Sequence, residues 1–219
     1  MKVTLSLWDI GGQERFNFFK TDFFRGTAAV GLVWDISRSD TFEKLEIYIN
    51  DMRKRSGNIP IFLVGNKSDL KETLGGQTIP YDKIINKVNN HNLIGYIETS
   101  ALKNINVEKL FKNLSLAALF DLKPRLGEIS IPDRVEESNH FRFKILLIGD
   151  AGVGKSSLIK VFVNKDVDHD YKITVGLDLM TQHIDIPDDE LPKEAIRIIN
   201  EAISKSKKRL RKTRWKERS

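Results

Sequence analysis

Residues 149–156 read GDAGVGKS and fit the pattern G-x-x-x-x-G-K-[ST]. Gly149, Gly152 and Gly154 let the backbone wrap closely, so that N–H groups from Asp150, Ala151 and Val153 on to Ser157 can point at phosphate oxygens. Lys155 would reach the outer phosphates, and the Ser156 hydroxyl would hold Mg²⁺. The plain alternative is a glycine-rich turn with a surface lysine, and the flanking elements decide between the two. A second group stands in LWDIGGQERF, where Asp9, Gly12 and Gln13 close an alternating apolar stretch. A carboxylate, a glycine N–H and a carboxamide at that spacing suit a metal and a terminal phosphate.

NKSD (66–69) and ETSAL (98–102) each follow an apolar run. In isolation, Asn66 and Asp69 read better as turn and cap residues. The Asp69 carboxylate can also accept both N–H groups on the Watson–Crick edge of guanine, for which adenine offers no matching pair. The small residues Ser100 and Ala101, with Leu102, suit either an ordinary turn or a tight loop whose backbone N–H meets the guanine oxygen.

The elements that must position these residues follow from hydrophobic periodicity. Residues 2–9 alternate as a half-buried strand, and 27–36, 59–66 and 141–150 are nearly continuous apolar runs, as central parallel strands are. Residues 92–100 read as a further strand and 176–186 as an edge strand. Helices are expected at 40–55 (stripe Phe42, Leu45, Tyr48, Ile49, Met52), 81–90, 106–122 (capped by Asn104 or Asn106) and 155–165. A last helix is expected from 188 to 212, with Pro192 in its first turn and Ile196, Ile199 and Ile203 on its stripe. Strands alternating with helices make an α/β fold with a mostly parallel sheet, and such sheets bind ligands at the C-terminal ends of their strands. Each motif stands at such an end, and GDAGVGKS lies between a strand and a helix as the phosphate reading requires.

Composition narrows the setting. The chain has 219 residues, 40% of them hydrophobic, which suits one domain with extras or two small ones. It has no cysteine, which excludes disulfides, a thiol nucleophile, a Cys-based zinc site and prenyl or palmitoyl anchors, and Lys2 excludes myristoylation. No apolar run is long enough to span a membrane, and a cytoplasmic setting, peripheral to a membrane at most, is expected. The net charge of +6 is local: residues 205–219 hold nine Lys/Arg against one Glu, while the remainder is near neutral. That tail suits contact with RNA or an acidic membrane surface, or serves as a solvated terminus.

WDIGGQERF, GNKSDL, ETSAL, GDAGVGKSSL and YKITVGLDL together resemble the Ras-like small GTPases, the Rab branch in particular, with DIGGQ also similar to the Arf branch. The resemblance spans 1–121 and 141–186 and implies a three-layer α/β/α fold around a mostly parallel six-stranded sheet. It implies GTP or GDP with Mg²⁺ as ligands and slow GTP hydrolysis hastened by a partner. It also implies effector, exchange and GTPase-activating proteins as partners. Carried over residue by residue, Ser156 and Thr174 hold Mg²⁺, with Asp9 acting on it through water. Gly12 senses the terminal phosphate and Gln13 orients the attacking water. Asn66, Lys67 and Asp69 select guanine, and Ser100, Ala101 and Leu102 close that pocket. Two departures stand out. Val167 replaces an aromatic that in many relatives stacks on the base, and the cysteine lipid anchor is missing.

The largest departure is order. In the family the phosphate loop comes first and D-x-x-G-Q follows; here D-x-x-G-Q leads and the phosphate loop comes fourth. Rotating the order restores the family sequence, so a circular permutation is expected, cut at the exposed tip of the hairpin between 176–186 and 2–9. The expected organisation is a permuted domain over 1–186 (1–122, a linker at 123–140, then 141–186) and a basic amphipathic tail over 187–219. The 18-residue connection can extend to about 60 Å, against a domain about 40 Å across. That slack allows closure within one chain or a domain-swapped dimer. The competing functional class is a non-catalytic nucleotide-binding or interaction module.

Overall fold

The computed structural model describes residues 2–11, 24–120, 140–164 and 177–187. Their elements run β1 (Lys2–Ile10), β2 (Thr27–Asp35), α1 (Ser39–Glu43), α2 (Leu45–Ser56), β3 (Ile61–Asn66), α3 (Tyr81–Asn90), β4 (Gly95–Glu98), α4 (Val107–Phe120), β5 (His140–Gly149), α5 (Lys155–Asn164) and β6 (Leu177–Asp185). Six strands form one sheet in the order β4-β3-β2-β5-β1-β6. Every neighbouring pair is parallel except β1 and β6, which run antiparallel with Lys2 opposite Asp185 and Ile10 opposite Leu177.

Period-two alternation divides the side chains between two layers. Val3, Leu5 and Leu7 of β1 join Ile145 and Leu147 of β5 on the face covered by α4 and α5. Val107, Leu110, Phe111, Leu114 and Ala118 of α4 recur at helical spacing on that face, and Phe111 stacks on Phe162 of α5 with centroids 4.1 Å apart. The opposite face carries Val30, Leu32, Trp34, Leu146 and Ile148, covered by Phe42, Leu45, Ile49 and Met52 of α1 and α2 and by Ile84 and Val88 of α3. The two apolar layers make a three-layer sandwich, each buried large side chain contributing about 1.5–3 kcal/mol at most.

The expected mostly parallel sheet and its edge strand are present, with some boundaries moved. The single helix expected over 40–55 is two, because the Ile47 N–H bonds the Lys44 carbonyl three residues back and tightens the turn between α1 and α2. The strand expected over 92–100 pairs only from Gly95 to Glu98. Before it, Asn92 turns left-handed at φ 50°, and after it Ser100 bridges back to Ile105. Asn106 precedes α4 but does not cap it in the usual way. Its φ is 56° and its side-chain amide donates to the Glu98 carbonyl at 2.8 Å. The linker, the tail helix and Val167 lie outside the described residues. Among the described residues no helix is long and apolar enough to cross a membrane.

Candidate functional site

The five parallel strands end at one edge of the sheet, and the motif residues gather there. Gly149 ends β5 beside Val33 of β2. Its φ is 153°, and a Cβ there would lie 2.1 Å from the Val33 carbonyl oxygen. Gly154 has φ 94°, and a Cβ there would lie 2.3 Å from the Asn66 amide nitrogen. The loop between them is thus pressed against β2 and β3 at a spacing only glycine permits. Directly after it, the Leu158 N–H bonds the Gly154 carbonyl at 3.0 Å and starts α5, whose partial positive end lies at the loop.

Lys155 is only 5% exposed, and its ammonium donates to the carbonyls of Gly149 (3.0 Å) and Asp150 (2.8 Å). Ser156 donates its hydroxyl proton to the carboxylate of Asp9, which is buried at the end of β1. The two border a crevice completed by Ile159, Asp178 and Met180. The Ser156 hydroxyl and the Asp9 carboxylate are hard oxygen donors of the kind Mg²⁺ takes, and the Lys155 ammonium and the α5 N-terminus bring positive charge to the same loop, so the chemistry of these residues fits both a divalent cation and a phosphate.

Asn66 is the join between this loop and the other motifs. Its amide donates to the Val153 carbonyl at 2.8 Å, and its oxygen accepts from the Thr99 hydroxyl (3.1 Å) and the Ala101 N–H (3.4 Å). Asp69, in a 3₁₀ turn (Ser68–Leu70), accepts from the Ser100 hydroxyl, which itself accepts from the Lys103 N–H at 3.0 Å. Leu102 stays half exposed at the rim. Lys67, left-handed at φ 64°, turns its ammonium away to the Asp35 carboxylate at 2.7 Å. Lys71 and Tyr96 both donate to the Glu98 carboxylate, at 2.6 and 3.0 Å, and tie the turn after β3 to the end of β4. Gly12, Gln13 and Thr174 lie outside the described residues.

Three polar residues at this edge escaped the motif reading. Asp35 ends β2, Arg38 follows it, and Lys44 separates α1 from α2. Burial alone would raise the Asp35 pKa, but Lys67 and the Ser37 hydroxyl and N–H hold it below the usual carboxylate value. Asp150 is likewise lowered against its burial, by Lys44 at 2.7 Å, the Ala151 N–H and the charge of Arg38. The signal available was an aspartate closing a buried parallel strand, at the edge where ligands bind.

Comparison with known proteins adds family identity to this geometry. The model of the Ras family matches residues 1–119, and that of Roc, the Ras-of-Complex domain of DAPkinase, matches 144–199. The Ras-related protein YPTC6 of Chlamydomonas reinhardtii is 35% identical over 138 residues, 58% of this chain and 62% of its own. Ras-related protein rab-11.1 of Caenorhabditis elegans is 38% identical over 115 residues, 51% and 52% of the two chains. Ras-related protein Rab-11A of Dictyostelium discoideum is 33% identical over 138 residues, 63% and 62%. The chain thus spans less than two thirds of the length of these relatives.

Proposed function

The chain belongs to the Ras family of small GTPases, and from that premise we propose that it is a guanine-nucleotide switch that binds GTP and GDP with Mg²⁺ and hydrolyses GTP slowly without a partner. The observation that carries this reading is Asn66. One side chain binds the phosphate loop at Val153 and the 99–101 loop at Thr99 and Ala101, so phosphate and base elements form one continuous site.

In this reading Lys155 and the N–H groups of 149–157 hold the phosphates, with the α5 N-terminus adding positive charge. Ser156 and Thr174 would hold Mg²⁺, with Asp9 acting on it through water, and the ion would neutralise charge on the transferring phosphoryl group. Gly12 positions the terminal phosphate and Gln13 the attacking water. Asp69, fixed by Ser100, accepts the guanine edge, with Lys67, Ala101 and Leu102 around the base. Effector, exchange and GTPase-activating proteins are the partners of such a switch, in a cytoplasmic setting. The 187–219 tail contributes a salt-sensitive contact with RNA or an acidic membrane.

We further propose that 1–186 is a circularly permuted family domain. What supports this is motif order, together with the antiparallel neighbours β1 and β6. Lys2 lies opposite Asp185, the spacing a hairpin turn would join. The Ras and Roc matches fall on either side of the 120–143 stretch.

Nucleotide titration of the wild type, Lys155→Ala and Asp69→Asn tests the site. GTP and GDP should bind in preference to ATP. Lys155→Ala should weaken GDP by roughly 100-fold, the scale of two hydrogen bonds to charged groups, and Asp69→Asn should remove the preference for guanine. Tight GTP binding indifferent to both changes overturns the assignment. Single-turnover hydrolysis at about 1 s⁻¹ or faster without any partner, far above the intrinsic Ras scale, overturns the slow switch.

A further inference from the structure

We propose that Arg38 is a positioning residue for the phosphate loop, locked in place by Asp35, which at the same time holds Lys67 of the base-recognition loop. The nucleotide reading gives this linkage its purpose, but its geometry stands independently.

The Asp35 side chain is almost fully buried at the end of β2 and collects four donors. These are the Ser37 N–H (2.9 Å), the Ser37 hydroxyl (2.6 Å), the Lys67 ammonium (2.7 Å) and Arg38 Nε (3.3 Å). The turn that carries Arg38 is itself closed. The Arg38 N–H bonds the Asp35 carbonyl at 2.9 Å, and the Thr41 N–H (3.1 Å) and hydroxyl (2.7 Å) bond the Arg38 carbonyl. With Nε bound to Asp35, the guanidinium has one direction left for Nη2, and it donates to the Ala151 carbonyl at 2.8 Å.

That last bond fixes a peptide plane. There are no cis peptide bonds among the described residues, so the Ala151 carbonyl and the Gly152 N–H point to opposite sides of their shared plane. Holding the carbonyl outward on Arg38 turns the Gly152 N–H to the opposite side, the side left for phosphate. Asn66 treats the next but one peptide in the same way, taking the Val153 carbonyl and turning the Gly154 N–H. Glycines at 152 and 154, with φ 74° and 94°, have no side chain to resist rotation of these planes, so external bonds must set them. Arginine suits the task better than lysine, because a planar guanidinium offers donors to two partners at a fixed angle. Since Asp35 also holds Lys67, a shift of the base loop reaches the phosphate loop through Asp35 and Arg38.

The test uses the full chain with Arg38→Ala, Arg38→Lys and, as a control for loss of a surface ion pair, Arg55→Ala, which breaks the Arg55–Asp51 pair on α2. Arg38→Ala should release fluorescent GDP about tenfold faster than wild type, the scale of one hydrogen bond to a charged group. The preference for GDP over IDP, which lacks the 2-amino group, should be unchanged. Arg38→Lys should rescue only partly. Amide hydrogen exchange over 150–155 in nucleotide-free protein should be faster in Arg38→Ala alone, with its thermal midpoint matching that of Arg55→Ala. Unchanged GDP release, or release that rises together with a fallen midpoint and lost base preference, overturns the proposal. If the wild type binds no guanine nucleotide, the functional reading fails, and hydrogen exchange decides this one. Faster exchange confined to the loop sustains it, and unchanged protection overturns it.

Discussion

Lys144 shows how one side chain can make stability depend on pH. It projects from β5 with its ammonium 3.5 Å from the centroid of the Trp8 ring and 3.2 Å from the Arg25 carbonyl oxygen. Burial lowers its pKa from 10.5 to about 8. Between those two values the unfolded chain binds the extra proton and the folded chain does not, so wild-type stability should rise with pH across that window. Lys144→Met should flatten the rise, as read from thermal midpoints at a series of pH values. Equal slopes in the two proteins would show that the amine is solvated. Residues of this kind are hard to read from a sequence, because a lysine in an apolar run has no partner until the sheet is assembled. The glycine-rich loop at 149–156 lies at the other extreme. Its glycines, Lys155 and Ser156 were legible because they meet within eight consecutive residues. Asp35 and Arg38 were not, since their partners Lys67 and Ala151 are far away in the chain.

Elements were legible in proportion to their periodicity. Helix α4 repeats its apolar positions over four turns and was found nearly to its ends, whereas β4 has four residues and depends on pairing with β3 for its limits. What periodicity does not carry is which strands are neighbours. Motif likeness supplied one pair of neighbours, 176–186 beside 2–9, and the rest of the order is visible only in the assembled sheet, since nothing local in β1 distinguishes an interior strand from an edge. Packing of α4 on the sheet is close: Leu114 is fully buried, and one of its methyl carbons lies 3.5 Å from where a Cβ on Gly31 of β2 would be. Leu114→Ala should therefore lower the unfolding free energy by about 2–5 kcal/mol, the range for emptying a leucine site in a tight core. Urea melts would measure it, and a loss under about 1 kcal/mol would mean that the helix settles into the gap.

At the scale of the molecule the distinguishing feature is where the chain passes from one strand to the next. Because Lys2 and Asp185 are opposite one another, a short turn joining 187 to 2, with new ends placed between 120 and 140, should give the same sheet in family order. That rearranged chain should bind GDP within a fewfold of the original, with both monomeric by light scattering across a concentration series. A dimer of the original that becomes a monomer on rearrangement would instead show that the 121–139 stretch connects two copies. The sheet order has a further consequence for the ribosome. Strand β1 lies between β5 and β6, so both strands that complete its pairing are synthesised well after it. At cellular rates of about 5–20 residues per second, roughly 10–35 seconds separate the emergence of β1 from that of β6. Until β5 emerges, about 7–28 seconds after β1 at those rates, a strand carrying Val3, Leu5 and Leu7 has both backbone edges unsatisfied, and one of them stays so until β6. A nascent chain stalled near residue 130 should accordingly be protease-sensitive and chaperone-bound, in a way that a chain beginning with β5 would avoid.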